Sequence, residues 1–274
     1  MTRSKFVIVL TGSHQERLKA NIAAKQFVDY AIFSSNIYPE NKTSSSFIPV
    51  KTDWEKIDEA FLPKIPLPIL KTQKMICGLV YEVWHRKTEN KIEIVISFKG
   101  TTPNVFNDWI CNLRWFTLNP VLRGVFHYFF WDYYHQVQML IPQLISTVKN
   151  IFPNKSVEFI STGHSLGGGL AQQAAYATND IKKVFAFNPS PVTGYKDIKK
   201  NFRKINEIGI EICRIYQAGE VLFFFRKVAK YFYPLTTVDP EIKEYKFSFF
   251  KGDSIERHAM RKLAINLINA SKTF

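Results

Sequence analysis

Apolar and polar positions divide this chain into short strands and amphipathic helices. Phe6–Leu10 is an unbroken apolar run and predicts a first strand. Ile22, Ala23, Phe27 and Ala31 recur at helical spacing, so residues 17–35 read as a helix stopped before Pro39. Residues 47–75 carry Pro49, Pro63, Pro66 and Pro68 and read as an irregular approach segment. Residues 78–86 and 91–98 read as two strands joined by the polar turn 87–90, a hairpin in which Ile92, Ile94, Ile96 and Phe98 alternate with Glu93, Val95 and Ser97. A loop at 99–103 then opens a helix over 104–114, and residues 128–152 read as a long helix bent near Pro142. Farther on, 157–161 is a short buried strand, Leu166–Ala177 a helix, 184–188 and Glu211–Gln217 further strands, and 254–270 a last helix.

The alternation of strand and helix in the middle implies parallel strands joined by right-handed crossovers and covered by helices on both faces. No repeat and no linker interrupts it, so residues 1–274 read as a single domain. A hydrophobic content of 46% with 12 Gly and 13 Pro excludes a collagen-like or mostly disordered chain. Cys77, Cys111 and Cys213 are odd in number and far apart, which fits reduced, buried thiols rather than a disulfide framework or a metal site. No run approaches the about 18 apolar residues of a membrane helix. The apolar start is also shorter than the about 7–15 residues of a signal-peptide core. These features predict a cytoplasmic protein, or one exported without a signal peptide.

Charge changes the picture. Thirty-seven Lys and Arg against 23 Asp and Glu leave +14, a field that attracts anionic partners. With 15% aromatic residues, the composition suits single-stranded nucleic acid and a membrane interface equally well, and only the chemistry separates them.

That chemistry is carried by Gly163-His164-Ser165-Leu166-Gly167, followed by Gly168 and Gly169. It fits G-x-S-x-G, with a strand before it and a helix after it, the context a nucleophile elbow requires. Glycine at the flanking positions avoids the side-chain clash of so sharp a turn. The turn presents the Ser165 hydroxyl over a helix N-terminus, where the Leu166 amide can bind a developing oxyanion. A phosphate loop is the competing reading of a glycine-rich turn, but no Lys-Ser or Lys-Thr follows it.

Together with three other blocks, the elbow resembles the class 3 lipases, a family with the α/β-hydrolase fold. The blocks are Val95–Thr101, Asp108-Trp109 with Asn112-Leu113 downstream, and the segment around His127. The resemblance spans residues 20–260 and is specific over 92–190. Lys99 stands where the family usually has Arg, the His127 block lacks the family's glycine, and the acid region has Glu where Asp is common. The resemblance implies a mostly parallel central sheet with helices on both faces and antiparallel strands at the N-terminal edge. It also implies a serine mechanism that needs neither metal nor cofactor.

A serine hydroxyl needs a base, and the base an orienting acid. Fold order demands serine, acid, then histidine, and His258 is the only histidine after Ser165. His164 belongs to the elbow turn and points away from the nucleophile. Glu220, after the strand ending near Gln217, takes the acid role on the same order and on the family's acid turn, with Asp239 and Asp253 as rivals. Asp239 also fits a turn, and Asp253 also fits a helix cap. By resemblance Thr101 supplies the second oxyanion donor and Asp108 braces its loop. Asp108 fits simple capping equally well.

Val105, Phe106, Trp109, Ile110 and Leu113 share one face of the 104–115 segment, which by resemblance is a lid and otherwise a core helix. Residues 223–233 interleave aromatic rings with Arg226, Lys227 and Lys230, a composition suited to lipid headgroups. Nucleic-acid binding loses because no binding motif accompanies the charge. The sequence thus predicts a lipid ester substrate, with phospholipid or lysophospholipid favoured at an anionic membrane. The competing class is a non-catalytic lipid-binding relative that keeps the elbow.

Overall fold

A computed structural model describes residues 6–10, 14–43, 45–68, 74–75, 78–100, 130–223 and 240–272. Ten strands and five α-helices frame these residues. The strands are β1 (Phe6–Leu10), β2 (Glu55–Lys56), β3 (Lys74–Met75), β4 (Tyr81–Lys87), β5 (Ile92–Phe98), β6 (Phe130–Trp131), β7 (Val157–His164), β8 (Ile181–Phe187), β9 (Glu211–Gln217) and β10 (Glu241–Phe247). The helices are α1 (His14–Asn36), α2 (Tyr133–Ile151), α3 (Leu166–Ala177), α4 (Lys200–Asn206) and α5 (Met260–Lys272).

Eight strands form one sheet in the order β1-β10-β9-β8-β7-β5-β4-β2. The run from β1 to β5 across that order is parallel. The hairpin partner β4 and the short β2 are antiparallel at one edge. β3 and β6 pair separately as a small parallel ribbon.

Both faces of the sheet are covered. Ile94, Ile96 and Phe98 of β5 pack with Val137, Leu140 and Leu144 of α2 and Leu170 and Ala174 of α3. Val95, pointing the other way by the period of two, packs with Phe27, Ala31 and Phe33 of α1 and Leu263 and Leu267 of α5. All seven positions of β5 are buried, including Glu93, whose carboxylate accepts hydrogen bonds from Tyr30 and Arg86. A central, mostly parallel sheet of this order, with a strand-to-helix elbow at the end of its middle strand, is the α/β-hydrolase fold.

Two expectations shift. The helix expected over 128–152 begins at Tyr133, because Phe130 and Trp131 are drawn into the β6 ribbon and Asp132 caps the helix by accepting the His135 N–H at 3.1 Å. The last helix expected over 254–270 is split: a 3-10 turn covers Glu256–His258, and α5 starts only at Met260. That break leaves His258 on a turn rather than within a helix. The expected helix and lid over 104–115 lies outside the described residues.

Candidate active site

β7 runs straight into α3, and Ser165 is the hinge between them. Its backbone sits at φ 57, ψ −122, a region that a side chain strains. Backbone hydrogen bonds hold it there. The Ser165 N–H donates to the Phe187 carbonyl at 3.0 Å, and the Ser165 carbonyl accepts from Ser190 N–H at 2.9 Å and Gly168 N–H at 3.0 Å. Close packing does the rest. A Cβ at Gly163 would lie 2.4 Å from the Gly167 carbonyl carbon, and one at Gly167 would lie 2.2 Å from the Phe98 carbonyl oxygen. The Ser165 side chain makes no capping bond to α3, which leaves its hydroxyl uncommitted to the helix. Leu166 follows at the helix N-terminus, where backbone N–H groups lack partners within the helix.

At the end of β9, Gly219 adopts φ 73 and turns the chain so that Glu220 is buried. His258 Nδ1 and Glu220 Oε2 are 2.7 Å apart. The same carboxylate oxygen accepts the Leu222 N–H at 2.8 Å, which fixes its direction. Val221 N–H donates to the Ser254 carbonyl at 3.0 Å, and the Arg257 side chain donates from Nη1 to the Ala218 carbonyl at 3.4 Å, so the two loops are tied by one backbone bond and one side-chain bond. The His258 ring centroid lies 4.6 Å from that of His164, beside the elbow. The Glu220–His258 bond is formed here, whereas a bond from Ser165 Oγ to His258 is not.

The other histidines and carboxylates sit elsewhere. His85 is near Glu55 at the sheet edge, and His135 bonds Asp132 on α2. Asp253 accepts the N–H groups of Ile255 and Glu256, so it caps the turn that carries His258. Thr101, Asp108, His127 and Asp239 lie outside the described residues, as does the aromatic and basic stretch beyond Phe223. Cys213 is a free, buried thiol, while Cys77 and Cys111 are outside the described residues. Among the described residues no helix is long and apolar enough to cross a membrane, and no cluster of three metal-binding side chains occurs.

Sequence reasoning missed Tyr38 and Asn188 near His258, and the contacts that His164 makes there. Tyr38, two residues past α1, bonds His164 Nδ1 at 2.9 Å. His164 Nε2 reaches the His258 carbonyl at 2.8 Å. Asn188, held at φ 38 just past β8, donates from Nδ2 to the same carbonyl at 3.2 Å. The His164 ring therefore packs against the loop that carries His258. Burial, together with the neighbouring His258 imidazole, holds its pKa well below the usual histidine value.

The family model described as lipase (class 3) matches residues 95–222, from β5 through the elbow to the turn at Glu220. This stretch belongs to the class 3 lipase family. No curated protein matches the chain. Among solved structures, the chain is similar to Lip2 lipase from Yarrowia lipolytica, at 17% identity and a TM-score of 0.44, covering 82% of this chain and 78% of that one. It is also similar to esterase B from Lactobacillus rhamnosis, inhibited by a tributyrin phosphonate, at 12% identity and a TM-score of 0.40, covering 95% and 97%. The match over these residues supports a carboxylic ester hydrolase of lipase or esterase type.

Proposed function

We propose that the chain hydrolyses acyl esters of phospholipid or lysophospholipid at an anionic membrane surface, with Ser165, Glu220 and His258 as its catalytic groups. The observation that carries this reading is the buried Glu220 carboxylate bonded to His258 Nδ1 at 2.7 Å beside the elbow. Glu220 holds Nδ1 as the protonated nitrogen and leaves Nε2 as the base. Substrate binding draws Ser165 Oγ and His258 Nε2 into contact, since such bonds often tighten only in the substrate complex. Oγ attacks the ester carbonyl while its proton passes to Nε2. The resulting oxyanion is held by the Leu166 N–H and by Thr101. Collapse expels the alcohol, which takes the proton from His258 and leaves an acyl-serine. Water then gives a proton to Nε2 as it attacks, and collapse breaks the acyl bond, returns that proton to Ser165 Oγ and releases the fatty acid. Asp108 braces the Thr101 loop.

The membrane part of the proposal rests on charge and on the rim of the site. Ile255 is 75% exposed beside the His258 turn, and Phe223 is 39% exposed beside Glu220. Lys246 Nζ lies 5.6 Å from the centre of the Phe223 ring, and Lys251 is exposed nearby in sequence. Apolar side chains flanked by ammonium groups suit an acyl and headgroup boundary.

A fluorophosphonate probe and a phospholipid vesicle assay test the proposal together. Wild type should label at Ser165 and release fatty acid. Ser165→Ala should do neither, and His258→Ala should lose about a thousandfold or more in kcat. An unlabelled wild type would make the chain a non-catalytic lipid binder. A labelled enzyme that cleaves only short soluble esters would refute the phospholipid assignment alone.

A further inference from the structure

Tyr38 and His164 take no part in the proton transfers above, yet both are buried directly behind His258. We propose that Tyr38 and His164 are a positioning couple for the base: His164 Nε2–H holds the His258 carbonyl, and Tyr38 locks His164 in the tautomer that can do so. The inference rests on His258 being the base.

The hydrogen-bond inventory fixes the arrangement. A carbonyl oxygen only accepts, so the 2.8 Å contact with the His258 carbonyl requires the proton on His164 Nε2. Burial keeps His164 neutral, so Nδ1 carries a lone pair. Tyr38 O–H therefore donates to Nδ1 at 2.9 Å. The opposite tautomer would set the Nε2 lone pair against the carbonyl oxygen, two acceptors facing each other at 2.8 Å. Asn188 Nδ2 gives the carbonyl its second bond, while Asn188 Oδ1 accepts the Gln217 N–H at 3.0 Å. The ends of β7 and β8 thus grip one atom of the His258 backbone from two sides.

His258 needs that grip because it sits on a 3-10 turn outside both sheet and α-helix. The same couple reaches the other half of the site. A Cβ at Gly100 would lie 2.4 Å from the Tyr38 hydroxyl oxygen and 2.3 Å from the His164 carbonyl oxygen, so the start of the Thr101 loop rests on these two residues. Lys99 Nζ lies 5.9 Å from the centre of the Tyr38 ring. A neutral neighbour also suits the chemistry. With ring centroids 4.6 Å apart, a cationic His164 would oppose the imidazolium that forms on His258 during turnover.

The test uses the full chain, a soluble monomeric ester, and the variants His164→Gln, His164→Leu, Tyr38→Phe and His258→Ala. Glutamine places an amide N–H near the position of Nε2, whereas leucine has no donor. We expect His164→Leu to lower kcat by about 10- to 100-fold with KM within about twofold, since small displacements of a catalytic group cost that much. Fluorophosphonate labelling should slow in parallel. His164→Gln should recover most of the loss, and Tyr38→Phe should fall between. Wild-type kcat in His164→Leu overturns the proposal. So does an equal loss in the leucine and glutamine variants that tracks the fraction folded, measured by melting and active-site titration. Full hydrolysis by His258→Ala overturns instead the assignment of the base on which the inference stands.

Discussion

At position 164 an imidazole lies wholly inside the protein, and its pKa is held well below the usual histidine value by burial and by the His258 ring. In the unfolded chain the same group titrates near 6.5. Below that pH the unfolded state binds a proton that the native state refuses, so the unfolded state gains and stability falls as pH falls. Above it neither state is protonated and His164 contributes no pH dependence. The window therefore runs from about 6.5 down to the depressed native value, with a limiting slope of about 1.4 kcal/mol per pH unit. Glutamine cannot titrate. Denaturant unfolding of wild type and His164→Gln should thus give stability curves that run parallel above pH 7 and diverge below about 6.5, with wild type the steeper. Parallel curves down to pH 4.5 would show that position 164 accepts a proton freely in the native state.

The elbow and its helix were legible at the level of elements because local sequence dictates them: glycines flank a strained serine, and α3 starts and stops where the pattern of residues 166–177 does. β10 was not legible. Ile242 faces one core cluster while Tyr245 and Phe247 face the other, and Glu244 is buried on the strand, so no period of two survives. β1 was readable as a strand, but its parallel partner β10 lies more than two hundred residues away and no local signal names it. The His258–Glu220 pairing was reachable through chain order, whereas the Asn188 and Tyr38 contacts depend on which strand ends meet and had no motif to announce them. Element packing yields its own prediction at Gly167. A Cβ there meets only backbone, 2.2 Å from the Phe98 oxygen and 3.0 Å from Gly100 N, and backbone cannot step aside. Gly167→Ala should push α3 off β5 and cost about 3 kcal/mol, or about 6–12 °C in Tm. Gly78→Ala, where nothing lies within 4 Å, should change stability by no more than about 0.5 kcal/mol. Similar melting of the two variants would mean that the α3–β5 contact is looser than these distances say.

Over the whole molecule, +14 sets a field that reaches beyond any single contact, and the proposed membrane face decides where that field is used. Part of the charge is consumed within the fold: Lys183 pairs with Glu158, Lys243 with Glu211, and Arg86 with Glu93. Lys246, by contrast, stands near the end of β10 beside the Phe223 ring, and Lys251 is exposed on the segment that leads from β10 to Ile255 and His258. A lysine near an anionic bilayer contributes about 1 kcal/mol. Replacing both by glutamine should therefore cost about 2 kcal/mol, which is about 30-fold in partitioning onto phosphatidylserine-containing vesicles at about 0.1 M salt. The Debye length falls from about 10 Å at 0.1 M to about 3 Å at 1 M, so the gap between wild type and the double variant should close at high salt. Neutral phosphatidylcholine vesicles should not distinguish them. Ile255→Ser should instead weaken binding to both vesicle types at every salt concentration, because burying its side chain in the acyl region is a hydrophobic gain that salt does not screen. Sedimentation of vesicles with bound protein separates the two contributions. If the lysine variant binds anionic vesicles as wild type does, the field acts through another surface and the active-site rim is not the face that meets lipid.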